Sequence, residues 1–427
     1  MRTIALSFLV LLTTSTVCLA QRELQKSLKD IEVAEHWIYD DLPQAYAKAK
    51  ATEKPILVVL RCIPCPPGRK LDVKVAQPVK TMAELQQQFV CVRIVQAKGL
   101  DLNVFQYDYD QSWTALFLNA DKIIYGRYGT RDTRGPESDR YLSESSFLKA
   151  MHRALELHKN YPNNKDQLLA KIGPKVEWRY PEKIPGLEER ARPVVTTRQS
   201  CIHCHMVRDR KLRAKWQQGR LKKSDLFVYP MPNRIGMKMT IADGLVVEKV
   251  TPGSFADKAG IKAGDKIVTL NKQPLLSLAD IQWVLHTSPA ESELAVTLTR
   301  NGKSLEKTIS LKGNWKEYDI SWRASTWYGL RQGLQLEDLH ADGKNKTDLP
   351  KNRLAIRVKN MYGRGPQPLR NAGLRKGDVI VAVNDKSQYM TESEFLVYLR
   401  LTYGPKDRVT FTVLRNGQKR KLTVPMW

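Results

Sequence analysis

Cysteine is scarce, six in 427 residues, and its placement excludes a small scaffold held together by disulfides. Cys18 falls in an N-terminal apolar segment. Four others form two C-x-x-C pairs, Cys62/Cys65 and Cys201/Cys204. Cys91 stands alone in the strand-like run Phe89-Val90-Cys91-Val92-Arg93-Ile94 and reads as an inert core residue. Long apolar runs are missing beyond residue 20, so no later segment is expected to span a bilayer. No G-x-S-x-G or other recognisable nucleophile motif occurs, which argues against a catalytic protease. Acidic residues also run short, 44 against 70 Lys and Arg, for a net charge of +26. That balance suits a solvated basic surface, or contact with an anionic membrane surface, a cell-wall polymer or an acidic protein.

What the N-terminus does have is the pattern of a cleavable secretory signal. Arg2 supplies a positive start, Ile4 to Leu12 is apolar, and Cys18-Leu19-Ala20 ends in a small residue before Gln21. Cleavage is expected after Ala20. Thr16 and Val17 do not form a lipobox with Cys18. The expectation is an exported protein, periplasmic or otherwise extracytoplasmic. Nucleic acid is not an expected partner there, and no nucleic-acid fold motif is present.

Cys201-Ile202-His203-Cys204-His205 reads C-x-x-C-H, the attachment signature of a c-type haem. Two thiols at that spacing can each add to a haem vinyl group, with His205 as proximal ligand to the haem iron. A methionine such as Met231, Met237 or Met239, or a second histidine, would complete the coordination. Zinc is the alternative, with Cys201, Cys204, His203 and His205 offering thiolate and imidazole ligands. A plain disulfide is the third. The motif sits in a Pro-rich connector (Pro174, Pro181, Pro185, Pro193) too short for a self-contained cytochrome domain. The basic run Arg208 to Lys223 that follows reads as a solvated helix face, or as a partner for haem propionates.

The C-terminal half contains a repeat. Residues 259–271 read Ala-Gly-Ile-Lys-Ala-Gly-Asp-Lys-Ile-Val-Thr-Leu-Asn, and residues 372–384 read Ala-Gly-Leu-Arg-Lys-Gly-Asp-Val-Ile-Val-Ala-Val-Asn. Each is followed by a helix-like stretch and an alternating strand ending in Arg-Asn-Gly, where Asn-Gly suits a tight hairpin turn. With Ser254-Phe-Ala-Asp-Lys before it, the first copy resembles PDZ domains of the bacterial kind. The resemblance implies capture of protein or peptide C-termini by strand addition. The carboxylate loop would be Arg234-Ile235-Gly236-Met237. The facing helix would run from Ser277 to Thr287, with Ile281, Val284 and Leu285 as groove or core residues. In the second copy the loop would be Gln332-Gly333-Leu334 and the helix Glu392 to Leu401.

In the N-terminal third, Asp41 to Lys50 has helical spacing, and Ile56-Leu57-Val58-Val59-Leu60 is a continuous apolar strand ending at Cys62-Ile63-Pro64-Cys65. A helix-to-strand passage over 85–94 and a hairpin around Asn119-Ala120-Asp121 follow, then an amphipathic helix over 144–161. This order resembles a thioredoxin-like domain. The resemblance implies Cys62 as attacking thiolate and Cys65 as the resolving cysteine, with Arg61, Arg69 and Lys70 favouring the thiolate. Two features depart from the pattern. Pro66 and Pro67 interrupt the helix that should begin at the motif, and Thr114 takes the place of the family's cis-proline. A static disulfide or a metal pair are the other readings of Cys62 and Cys65.

The expected fold class is therefore multidomain, α/β and α+β. Residues 1–20 form the signal peptide, 30–160 a thioredoxin-like domain, 161–227 an irregular helical connector, and 228–313 and 316–427 two PDZ-like domains. The whole resembles a family of exported bacterial thioredoxin-like/PDZ fusion proteins, some of which carry selenocysteine at the redox site. The resemblance implies a thiol–disulfide or electron-transfer protein whose PDZ domains bind partner or client peptides. The competing expectation is a non-enzymatic periplasmic PDZ scaffold with structural disulfide or metal sites.

Overall fold

The computed structural model describes residues 21–190, 201–341 and 346–426. The expected signal segment and Pro193 lie outside them. The chain divides into two units, one of residues 1–204 with 229–316 and one of residues 205–228 with 317–427. The connector is thus not a body of its own. Its first part, through Cys204, belongs with the N-terminal domain and the first repeat, and its last part belongs with the second repeat. Among the described residues no helix is long and apolar enough to cross a membrane.

The N-terminal domain is a five-stranded sheet in the order β1-β3-β2-β4-β5. Strands β1 (Ile38–Tyr39), β2 (Ile56–Arg61) and β3 (Val90–Ile94) run parallel, and β4 (Trp113–Leu118) and β5 (Ile124–Tyr128) complete it antiparallel. Every residue of β2 through β5 is buried, as a sheet covered on both faces requires. Helix α1 (Leu42–Thr52) starts where Asp41 accepts a bond from the Gln44 amide at 2.9 Å. Helices α2 (Arg69–Ala76) and α3 (Lys80–Gln86) lead back to β3. Helix α4 (Glu144–Lys159), capped by Ser143, buries Phe147, Ala150, Met151 and Ala154 at the three-to-four-residue spacing of one helix face. Helix α5 (Cys204–Gln217) begins inside the C-x-x-C-H motif.

The first repeat places β6 (Met237–Met239), β7 (Val247–Val250), helix α6 (Phe255–Lys258), β8 (Lys266–Leu270), β9 (Gln273–Pro274) and helix α7 (Leu278–Thr287) before the hairpin β10 (Ser292–Arg300) and β11 (Lys303–Leu311). The second has β12 (Leu334–Asp338), β13 (Ile356–Met361), helix α8 (Gln367–Asn371), β14 (Val379–Val383), helix α9 (Glu392–Thr402), β15 (Arg408–Arg415) and β16 (Gln418–Pro425). Both hairpins turn on Asn-Gly with positive φ at each residue, 50° and 76° at Asn301-Gly302 and 52° and 78° at Asn416-Gly417. Both copies also bury the repeat's aspartate against its arginine. Asp265 takes two bonds from Arg300 at 2.6 and 2.7 Å, and Asp378 two from Arg415 at 2.7 Å. Each arginine donates onward to the glycine carbonyl of the preceding turn, Gly260 or Gly373.

Candidate functional site

Strand β2 delivers Cys62 to the end of the sheet, and Cys62 and Cys65 are joined by a disulfide. The Cys65 amide closes a turn onto the Cys62 carbonyl at 3.0 Å. Pro66 and Pro67 follow, and the chain reverses at Gly68 with φ +85°, where a Cβ would lie 2.6 Å from the Trp113 Cβ. Helix α2 therefore starts at Arg69, beyond the motif, so neither cysteine lies in its first turn. Arg61 turns underneath, donating to the Cys65, Pro67 and Ser112 carbonyls and to Asp72 at 3.1 Å. It holds the backbone of the motif rather than standing as an open cation beside a sulfur.

Asp72 is the hub of a buried charge network. It accepts from Arg61, from both terminal nitrogens of Arg93 at 2.8 and 2.9 Å, and from the Trp113 indole at 2.9 Å, while Arg93 also pairs with Asp30. Burial works against the Asp72 carboxylate. The bonds from Arg93, the charges of Arg93 and Arg61 and the Trp113 bond outweigh it and hold the group below the usual carboxylate range. Four donors on one carboxylate fix the turn that carries the disulfide.

The two sulfurs face different surroundings. Cys62 is only 5% exposed, whereas Cys65 is half-buried and lines an open groove of about 490 Å³ with Pro64, Pro66, Ile31, Arg69 and Val73. Ile31 and Val73, at 68% and 48% exposure, give that groove an apolar rim. On the opposite side the first turn of the C-x-x-C-H motif covers Cys62. The Ile202 carbonyl accepts from the Ala97 amide at 2.7 Å, and His203 Nδ1 lies 3.7 Å from Cys62 Sγ. This meeting joins residues 141 apart in sequence. No local pattern announces it, and the sequence reading gave His203 only as a zinc ligand.

The surroundings of Cys201 and Cys204 do not fit a covalent haem. Cys201 is fully buried among Leu24, Leu28 and Val95, with Tyr39 and Ile63 packed on the same cluster. Cys204 is buried and receives the Tyr107 hydroxyl at 3.0 Å, and burial pushes its thiol up despite that bond. Neither sulfur is open to solvent, as addition to a haem vinyl group would require. Met237 and Met239, named as axial ligands, are core residues of the first repeat. Among the described residues no group of three or more His, Cys, Asp or Glu side chains is gathered so as to hold a metal ion. Cys201 and Cys204 are not bridged to each other. Cys91 is buried, with its thiol raised by burial, as its strand placement predicts.

The peptide-site candidates fall differently in the two repeats. In the first, Ile235, Met237, Ile281, Val284 and Leu285 are at most 1% exposed and belong to the core. Gly236 has φ +94°, and a Cβ there would lie 1.9 Å from Ser254 Oγ. Helix α7 is buried from Leu278 to Leu285. Its outer face meets the N-terminal domain and the connector, where Asp280 accepts from the Arg127 amide at 3.1 Å and pairs with the connector's Lys171 at 3.3 Å. The Arg127 guanidinium stacks 3.8 Å above Trp283. Gly126 and Gly173 permit this approach, since a Cβ would lie 2.5 Å from Asp280 Oδ2 or 2.9 Å from Trp283 Cη2. In the second repeat, Gln332 and Gly333 are both left-handed and Leu334 opens β12. A cavity of about 600 Å³ lies between residues 335–338 of β12 and residues 391–394 at the N-cap and first turn of α9, beside a strand at the edge of its sheet.

Comparison with known proteins agrees with this architecture. A thioredoxin-like family model matches residues 37–120, and a PDZ domain model matches residues 228–311 and 333–426. The periplasmic serine endoprotease DegP of Escherichia coli K12 is 31% identical over 152 residues, covering 35% of this chain and 28% of DegP. The periplasmic pH-dependent serine endoprotease DegQ of the same organism is 33% identical over 148 residues, covering 34% of this chain and 29% of DegQ. The chain therefore spans under a third of the length of these relatives. Among solved structures, the HtrA3 PDZ domain bound to a phage-derived ligand, FGRWV, aligns at 25% identity and a TM-score of 0.17, covering 18% of this chain and 84% of that one. The serine endoprotease of Yersinia pestis aligns at 23% identity and a TM-score of 0.19, covering 24% and 35%. The chain carries a thioredoxin-like domain and two PDZ domains in one polypeptide.

Proposed function

We propose that this protein is an extracytoplasmic thiol–disulfide exchange protein that meets its clients at Cys65 and holds partner peptides through its second PDZ domain. The observation that carries the reading is the asymmetry of the disulfide, with Cys65 open to an apolar-rimmed groove and Cys62 covered. The roles implied by the thioredoxin resemblance are then exchanged. In the reduced protein the Cys65 thiolate attacks a client disulfide sulfur, and one client thiolate leaves. The Cys62 thiolate next attacks Cys65 Sγ, the second client thiolate leaves, and the Cys62–Cys65 bond forms. His203 is placed to hydrogen-bond the Cys62 sulfur. The N-terminal signal pattern and the periplasmic naming of the relatives support the extracytoplasmic setting.

For peptide holding, the second repeat offers what the first has given up, an edge strand beside an open cavity. Glu317, Glu337 and Glu392 along it are paired with Lys223, Lys346 and Arg331, and the remaining carboxylates, Asp319, Asp338 and Glu394, favour a peptide carrying Lys or Arg. The test is alkylation of the reduced protein by iodoacetamide under native conditions. Cys65 in Cys62→Ser is expected to react at least tenfold faster than Cys62 in Cys65→Ser. Equal rates, or an unreactive Cys65, would remove the client-facing role.

A further inference from the structure

The C-x-x-C-H motif docks onto the covered sulfur of the Cys62–Cys65 disulfide. His203 Nδ1 reaches to 3.7 Å from Cys62 Sγ. Cys201 and Cys204 flank His203, and consecutive Cα atoms are about 3.8 Å apart, so both thiols start roughly within 7 Å of the His203 Cα. Cys201 shares its apolar cluster with Ile63, the residue after Cys62. Cys204 is steadied by Tyr107. Cys62 and Cys65 are bridged and Cys201 and Cys204 are not, and the segment that carries the second pair touches the buried Cys62 through His203.

We infer that the Cys201/Cys204 dithiol is an internal electron donor that reduces the Cys62–Cys65 disulfide from its covered side. This rests on the thiol-exchange reading and adds to it the source of reducing equivalents. The Cys201 thiolate attacks Cys62 Sγ, the Cys62–Cys65 bond breaks, and Cys65 leaves as a thiolate into the groove. The Cys204 thiolate then attacks Cys201 Sγ, and Cys62 leaves as a thiolate that takes up a proton. Two electrons pass from the connector pair to the Cys62/Cys65 pair, with one disulfide lost and one gained. An external small dithiol regenerates Cys201 and Cys204 by the same exchange, entering at Cys204, the less buried of the two. The two faces of the disulfide are thereby divided, with clients reaching Cys65 and the connector reaching Cys62.

Trapping the mixed disulfide tests this on the full chain. Trypsin releases Cys62 in the peptide 62–69 and Cys201 in the peptide 199–208. In Cys65→Ser/Cys204→Ser, mild oxidation is expected to link these two peptides at least tenfold above any link to the peptide containing Cys91. Cys65→Ala/Cys204→Ala is a second pair of substitutions in case the first fails to fold, and melting curves report which variants are folded. Absence of the linked peptide in a folded variant overturns the relay, and so does a haem mass carried by peptide 199–208. The alkylation rate of Cys65 in Cys62→Ser is read in parallel. A reactive Cys65 without the linked peptide sinks the relay alone, and an inert Cys65 sinks the client-facing reading as well.

Discussion

The two PDZ domains share a skeleton and differ in what covers it. Each turns its hairpin on Asn-Gly and locks a buried aspartate with a bidentate arginine. Yet α7 of the first is buried against the thioredoxin-like domain from Leu278 to Leu285, while α9 of the second starts beside an open cavity. The third residue of each helix shows the divergence. Asp280 faces Lys171 and Arg127 in an interior setting, whereas Glu394 closes a capping box with Thr391 at the surface. The same fold is covered by its neighbours in the first copy and left beside a cavity in the second.

The largest effect that would sharpen this contrast is at those matched positions. Asp280→Ala leaves two buried cations without their carboxylate and is expected to cost about 3–5 kcal/mol. Glu394→Ala removes part of a cap and is expected to cost about 1 kcal/mol or less. Urea unfolding of both variants checks the difference, and equal losses would mean that α7 is no more a structural element than α9. A smaller effect is expected from filling the second cavity. Ala341→Trp should weaken binding of a Lys/Arg-rich peptide at least tenfold, about 1.4 kcal/mol, read by fluorescence anisotropy. Unchanged affinity would move peptide binding away from the second domain.

The smallest effect is a titration within the shared skeleton. Burial pushes the Asp265 carboxyl up, but the Arg300 bonds and the Lys262 amide outweigh it and leave the group below its ordinary value. A carboxylate depressed in the folded state stabilises above its unfolded value, about 3.9, and loses that contribution as the pH falls through the folded value. Asp265→Asn should therefore lower the melting temperature at pH 7, with the gap to wild type closing below about pH 4. A gap that stays constant with pH would show that packing, and not charge, is what the pair supplies.

Much of this architecture is legible in the sequence because its signals are local. The Ala-Gly-Ile-Lys-Ala-Gly-Asp turn, the Asn-Gly hairpins and the unbroken apolar run at 56–60 each fix their own few residues. The helix expected over 144–161 is found at Glu144–Lys159, and that expected over 392–401 at Glu392–Thr402. Pro66 and Pro67 rightly delay α2 to Arg69. What the sequence hides is long-range. Nothing near Cys201 signals that Leu24, Leu28 and Val95 will pack on it, so the motif reads as a cofactor site in isolation. Nothing near Ile281 signals that the far side of its helix will be occupied by Arg127 and Lys171. Nothing near Cys62 signals that His203, 141 residues later, will lie 3.7 Å from its sulfur.

Gly126 and Gly173 have a consequence for how this protein can be cut and recombined. Their missing side chains let α7 press into the thioredoxin-like domain, so the seam between the two folds is as tight as an interior. The family matches at 37–120 and 228–311 suggest two detachable modules. A fragment ending between them would leave Arg127 and Lys171 as bare cations on one piece, and Asp280 and Trp283 stripped of cover on the other. Thioredoxin-like domain and first PDZ domain lie in one compact unit and are expected to express together rather than apart.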